Sequence, residues 1–346
     1  MGKMRTAKNI LVLMPDKHMG DLVVSLPVIK ALMEYFKEDN FTLVIDNAYI
    51  EIIETINGLN KLLLYPRKKL RESHIIKRVG IFCGFLRRLR RVAPDIAIDL
   101  EGRNVSSTLT FLSGAKMRVG RSTAKRSFFY NFKVKLPGGI HKVYSFSTIA
   151  AAVGVSIEKI NFGLKASDER AASLRNKLRS ENIKTDKPIV CIHPGAGKIY
   201  KQWSTEGFAE ISDWLFSEGF HVVFIGSNSD LKKINEISSS TKYEAYNLGG
   251  KLSLGELIAF MGMCSLFIGN DSGPTHLAAV VGAPIIALFG SANERRWGPM
   301  SENMVILRGE ERCRKCTGMH CEYNYRCIQT ISPQDVKSAI IKLLKR

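Results

Sequence analysis

The sequence predicts an α/β protein made of two Rossmann-like domains in series. Short apolar runs alternate with helical patterns, the signature of parallel strands covered by helices. The alternation pauses near residues 160–185 and then restarts. The 346 residues are also enough for two domains with separate cores.

In the first half, a strand over 9–14 leads to a helix over 22–36. A strand over 41–45 leads to a helical stretch at 50–56. A strand over 61–64 comes before a long basic helix at 75–91. A strand over 95–100 precedes a helix at 106–112. In the second half, 174–182 reads as helix and 185–188 as a turn. Strands over 189–193 and 220–225 each run on to a helix, at 204–218 and 230–238. A helix over 254–263 precedes a strand at 265–269, and 284–289 is a further strand. The expected domains are 1–165 and 166–346. The last helix, 333–345, is open to packing on either half, the N-terminal domain included.

Apolar residues make up 45% of the chain and charged residues 24%, as in an ordinary globular protein. The formal charge is +19, and it is concentrated: residues 61–142 hold 20 Lys+Arg against 4 Asp+Glu. A solvated basic face, an anionic partner or an anionic membrane surface would each explain the surplus. No recognised nucleic-acid motif accompanies it, so no nucleic-acid partner is expected. No run of about 18 uncharged apolar residues occurs, so no transmembrane helix is expected. The apolar run at 10–14 is too short for a signal peptide, which points to a cytoplasmic protein with reduced cysteines.

Open α/β sheets bind ligands where strands run into helices, and three such turns carry chemistry. The first is Pro15-Asp16-Lys17-His18-Met19-Gly20-Asp21. Asp21 lies near a helix N-terminus, either as a simple cap or as a general base taking a proton from an attacking hydroxyl. The second is His193-Pro194-Gly195-Ala196-Gly197-Lys198, followed by Tyr200-Lys201-Gln202-Trp203. Small residues such as Gly195 and Ala196 let backbone approach a phosphate, and lysine adds a point charge. Trp203 reads as a packing residue. The third, Asn270-Asp271-Ser272-Gly273-Pro274-Thr275-His276, is the strongest. Pro274 suits the first helical turn, and the amides of Gly273, Thr275 and His276 are placed to face a diphosphate. A buried, satisfied histidine remains the other reading of His276.

No Asp-x-Asp pair occurs; Asp99-Leu100-Glu101 is the nearest approach. Charge neutralisation is therefore assigned to a lysine of the second turn and the helix dipole rather than to Mg²⁺. No cofactor is expected.

Met19-Gly20-Asp21 followed by Leu26-Pro27 resembles the N-terminal motif of the lipopolysaccharide heptosyltransferases, glycosyltransferase family 9. His193-Pro194-Gly195-Ala196 with Lys201-Gln202-Trp203 looks like their phosphate loop. Asp271-Ser272-Gly273-Pro274-Thr275-His276, with Gly282-Ala283-Pro284 and Leu288-Phe289-Gly290, is similar to their donor signature. The resemblance implies a GT-B fold, two sheets facing across a cleft. It also implies inverting transfer of heptose from ADP-heptose to a heptose or Kdo of the lipopolysaccharide inner core. Asp21 would be the base, Lys201 would contact the diphosphate and Asp271 would lie near the donor sugar, with Ser272, Gly273, Thr275 and His276 around the donor. The partner would be a lipid A-core acceptor, met peripherally at the cytoplasmic face of the inner membrane. A related glycosyltransferase with another nucleotide sugar is the nearest rival, and a non-enzymatic nucleotide- or nucleic-acid-binding module a more distant one.

One position departs from the pattern. Relatives often carry an arginine in the segment after His141, and here Ser145 takes that place. Arg103, Arg118, Arg121 and Lys125 are the alternative ligands for an anionic acceptor, each also readable as plain surface charge. Finally, Cys313, Cys316, Cys321 and Cys327 form a cluster. It suits a structural zinc, free thiols packing a loop, or a disulfide formed on oxidation. Cys83, Cys191 and Cys264 sit in apolar contexts and read as core residues.

Overall fold

A computed structural model describes residues 8–56, 58–59, 61–158, 160, 162–309, 321 and 326–345. The chain divides into two compact units, Met1–Phe162 and Gly163–Arg346. The sequence placed the division at 165/166.

The first unit holds β1 (Asn9–Met14), β2 (Asn40–Asp46), β3 (Lys61–Tyr65), β4 (Ile96–Asp99), β5 (Met117–Arg121) and β6 (Phe132–Val134), in the order β3-β2-β1-β4-β5-β6. The second holds β7 (Ile189–His193), β8 (His221–Phe224), β9 (Tyr246–Asn247), β10 (Leu266–Asn270), β11 (Ile285–Phe289) and β12 (Met304–Arg308), in the order β12-β11-β10-β7-β8-β9. Every pairing is parallel. Counted within its own unit, each sheet runs 3-2-1-4-5-6, the doubly wound order.

This topology selects the site loops. The winding reverses between the first and fourth strands of such a sheet, so the loops leaving their carboxyl ends diverge and open a crevice. In the first unit these strands are β1 and β4, in register through Leu13 and Asp99. In the second they are β7 and β10, in register through His193 and Gly269.

Parallel sheets covered on both faces read as unbroken apolar runs. Ile10–Met14 of β1 and all of β11 are accordingly buried. Leu11, Leu13, Val44, Phe85, Leu89 and Leu109 centre the first core. Ile192, Trp203, Phe208, Ile268, Leu288 and Ile340 centre the second. The last helix, Pro333–Leu344, buries Val336, Ala339, Ile340 and Leu343 in that second core.

Four strands escaped the sequence reading. β6 and β9 lie at sheet edges and have three and two residues, too short to show a pattern. β5 carries Arg118 and Arg121, which break its apolar pattern, whereas β12 has a four-residue apolar run, Met304–Leu307, that the sequence reading passed over. Cys191 and Cys264 are buried as expected, but Cys83 is exposed. The helix that carries it, Ile75–Arg91, buries only Phe85 and Leu89, and Cys83 faces away from them.

Candidate active site

In the first unit the turn after β1 leads into helix Met19–Tyr35. His18 occupies the N-cap position without a side-chain cap, and Asp21 lies inside the first turn. Asp21 is therefore not the cap. It is buried, and Arg103 Nη2 donates to its Oδ2 at 3.1 Å. Arg103 Nε also faces Asp16 Oδ2 at 3.3 Å and Glu101 Oε1 at 3.4 Å. One guanidinium thus serves three buried carboxylates, from the loops after β1 and β4.

Crowding of carboxylates in a poorly solvated place separates their proton affinities. Burial and a hydrogen bond with Asp16 push Asp21 up to about 6. Burial works against Asp16 as well, but hydrogen bonds with His18 and Asp21, then the charge of Arg103, hold it well below the usual range. Burial and the charges of Asp16 and Asp99 push Glu101 up to about 8. Asp99 is pushed up to about 6 by burial, against hydrogen bonds from the Gly102 amide at 2.8 Å and the Tyr130 hydroxyl at 2.5 Å. Of this set Asp21 is the 8%-exposed carboxylate, in the first helical turn after the loop that the topology turns toward a ligand. A carboxylate tuned this way is suited to accept a proton near neutral pH.

Lys142 opens helix Lys142–Ala151, is buried, and places its charge near Asp21. Lys142, three residues before Ser145, thus brings a cation from this segment to the Asp21 site. Among the described residues, Asp16, His18 and Asp21 bring ligand atoms within 4.8 Å of one another, a group that could hold a cation. Arg103 already faces both of its carboxylates, and His18 Nδ1 lies 2.9 Å from Asp16 Oδ1.

The second unit assembles the other two turns. Asn270, at the end of β10, is fully buried. Its side-chain Nδ2 donates to Pro194 O at 2.8 Å, and its Oδ1 accepts from the Trp203 backbone amide at 3.1 Å. It thereby fixes both ends of the loop after β7. Lys201 reaches Asp271 Oδ2 at 2.5 Å. His193 Nδ1 lies 3.1 Å from Ser272 Oγ, and its Nε2 lies 3.8 Å from Asp230 Oδ2. Burial raises Asp230, but hydrogen bonds with His193 and Ser227 win and lower it to about 2.

Ser272 stands at the N-cap of helix Gly273–Val281 yet makes no side-chain cap. Its hydroxyl instead meets Thr275 Oγ1 at 3.2 Å, and Thr275 bonds the Asn270 carbonyl. The His276 amide, expected to face a diphosphate, donates back to Ser272 O at 3.4 Å. His276 itself is buried. At the far end of the helix, Gly282 adopts φ 91°, the left-handed cap that glycine accepts readily. A Cβ at Gly195 would lie 2.2 Å from Asp230 Oδ1, so the Asp230 carboxylate would have to move to admit one. Ala196 O accepts from Gln202 at 3.2 Å. Trp203 is a packing residue, 1% exposed, with its indole N–H on Ile331 O at 2.9 Å.

The proposed donor residues Gly195, Ala196, Lys201, Asp271, Ser272, Gly273, Thr275 and His276 thus all fall on the two crevice loops of the second sheet and their continuations. The four basic acceptor candidates separate. Arg103 joins Asp21. Arg121 donates to Gly102 O at 3.1 Å, beside the same carboxylates. Arg118 is occupied in holding backbone, at Phe129 O (2.8 Å) and Ala115 O (2.9 Å). Lys125 is exposed on the loop after β5. Of the cysteine cluster, Cys313 and Cys316 lie outside the described residues. Cys321 is half-buried and Cys327 buried. Sequence reasoning gave no role to Asp16, Glu101, His193 or Asp230; Asp16 and His193 lie in turns it had singled out, whereas Glu101 and Asp230 meet those turns only in the folded chain, through Arg103 and His193.

The model of glycosyltransferase family 9 (heptosyltransferase) matches residues 83–326. Lipopolysaccharide heptosyltransferase 3 of Escherichia coli is 26% identical over 333 residues, covering 94% of this chain and 96% of that one. A family 9 glycosyltransferase structure from Veillonella parvula superposes with a TM-score of 0.83 at 23% identity, over 98% and 97% of the two chains. The E. coli ADP-heptose LPS heptosyltransferase II structure does so with a TM-score of 0.78 at 20% identity, over 97% and 98%. The fold is GT-B, and with the family model spanning well over half of its length the chain belongs to glycosyltransferase family 9, the heptosyltransferases.

Proposed function

We propose that this glycosyltransferase moves heptose from ADP-heptose to a heptose or Kdo sugar of the lipopolysaccharide inner core, with inversion and without a metal. The observation that carries the reading is Asp21, a buried carboxylate pushed up to about 6 in the first helical turn after a crevice loop of its sheet. Asp21 takes the proton of the acceptor hydroxyl. The freed oxygen attacks the anomeric carbon from the face opposite the diphosphate, the bond from that carbon to the phosphate oxygen breaks, and ADP departs with the electron pair. Lys201 and the N-terminus of helix Gly273–Val281 offset the charge that builds on the leaving group. Lys201 is held for this by Asp271.

The donor and acceptor classes are supported by the names of similar proteins, a lipopolysaccharide heptosyltransferase and an ADP-heptose LPS heptosyltransferase. A lipid A-core acceptor places the enzyme at the cytoplasmic face of the inner membrane. The contact proposed is peripheral; among the described residues, no helix is long and apolar enough to cross a membrane.

A donor screen tests the reading. Purified protein is given ADP-heptose, UDP-sugars and GDP-sugars with deacylated core acceptors, and products are weighed by mass spectrometry. A heptose-sized mass increase from ADP-heptose alone is expected. Transfer from a UDP- or GDP-sugar instead would identify a related glycosyltransferase with another donor.

A further inference from the structure

Helix Ile75–Arg91 packs on the core through Phe82, Phe85, Leu86 and Leu89, all beyond its first two turns. Its first two turns stand in solvent with large aliphatic side chains outward: Ile75 is 68% exposed, Ile76 86% and Val79 55%. Spacings of three and four residues put these three on one side of the helix, with exposed Cys83 one turn further along. Their surroundings are strongly basic. Residues 67–91 contain 10 Lys+Arg and a single acid, Glu72. Lys68, Lys69 and Arg71 on the preceding helix, Arg67–Glu72, and Lys77 and Arg78 on this one are all exposed.

We infer that the first two turns of this helix are a docking element for an anionic phospholipid surface. The chemistry of the patch selects that occupant. Aliphatic side chains without a polar tip enter the acyl boundary, and a ring of Lys and Arg meets anionic headgroups. A nucleic acid would use the charge and leave the isoleucines in water. A second copy of the chain would bring its own basic ring against this one, at a repulsive cost. The inference gains its purpose from a lipid-linked acceptor, but its evidence is this helix alone.

The test is co-sedimentation of the full chain with vesicles of phosphatidylglycerol in phosphatidylcholine, and with phosphatidylcholine alone, at low and high salt. Binding to the anionic vesicles is expected, falling by about tenfold or more on pure phosphatidylcholine and again at high salt. The double variant Ile75→Ser, Ile76→Ser keeps the charge. It is expected to lose about tenfold in vesicle affinity, while its melting temperature and its transfer to a water-soluble, deacylated acceptor stay at wild-type values. Three outcomes would overturn the inference: no vesicle binding by the wild type, equal binding to both lipids, or undiminished binding by the double variant. Self-association abolished by the double variant, without vesicle binding, would reassign the patch to a second copy of the chain. The vesicle assay needs no nucleotide sugar, so a failed donor screen leaves its result standing.

Discussion

Arg103 Nη2 donates to Asp21 Oδ2 at 3.1 Å, across 82 residues of sequence. The contact lowers the proton affinity that burial raises in Asp21. Arg103→Ala removes that counterweight, so the acidic limb of the kcat/KM profile should move to higher pH. At neutral pH the rate should fall by roughly 10- to 100-fold. Arg103→Lys should recover only part of it, because a point charge cannot face three carboxylates as a planar guanidinium does. A profile unmoved by Arg103→Ala would separate Arg103 from the base.

The wild-type profile follows from the same carboxylate. A base works deprotonated, and Asp21 loses its proton as pH rises through about 6. Transfer should therefore be weak in acid, climb through pH of about 6 and level off above it. An activity that is flat from about pH 5 to 8 would contradict this.

Lys201 is the cation of the second unit's site, held by a 2.5 Å bond to Asp271. Lys201→Ala should weaken ADP binding by roughly 10- to 100-fold in calorimetry. Unchanged ADP affinity would remove Lys201 from the diphosphate.

The two glycines of the β7 loop should behave differently. A Cβ at Gly195 would press on Asp230 at 2.2 Å, whereas one at Gly197 meets nothing within 4 Å. Gly195→Ala should lower the melting temperature by several degrees, a loss of about 1–3 kcal/mol, and weaken ADP binding. Gly197→Ala should do neither. Equal tolerance of both would mean that Asp230 relaxes away at no cost.

Metal dependence is decided by chelation. Lys201 and the N-terminus of helix Gly273–Val281 are proposed to offset the charge on the leaving group, so transfer should survive excess EDTA. Loss of activity that Mg²⁺ restores would point instead to Asp16, His18 and Asp21 as a cation site.

Much of the architecture was legible because parallel strands and their helices write strong local patterns. Helices Ile75–Arg91 and Leu254–Met263 begin and end where periodicity puts them. Trp203 reads as core and is core. The edge strands β6 and β9 are too short to show a period. The site was legible as three turns but not as a set of partners. Arg103 looked like acceptor-facing surface charge, yet it lies on Asp21, and only the pairing of β1 with β4 brings those two loops together. Asn270 was visible inside its motif, but its bonds to Pro194 and Trp203 span 76 and 67 residues. Such contacts follow from sheet order, which local periodicity does not encode.

The most direct measurement is the transfer rate of Asp21→Ala at saturating ADP-heptose and acceptor, taken with its ADP affinity. The account predicts transfer lost by about 100- to 10,000-fold with ADP affinity nearly unchanged. Near-normal turnover by that variant would contradict it, because no base at Asp21 would then be needed.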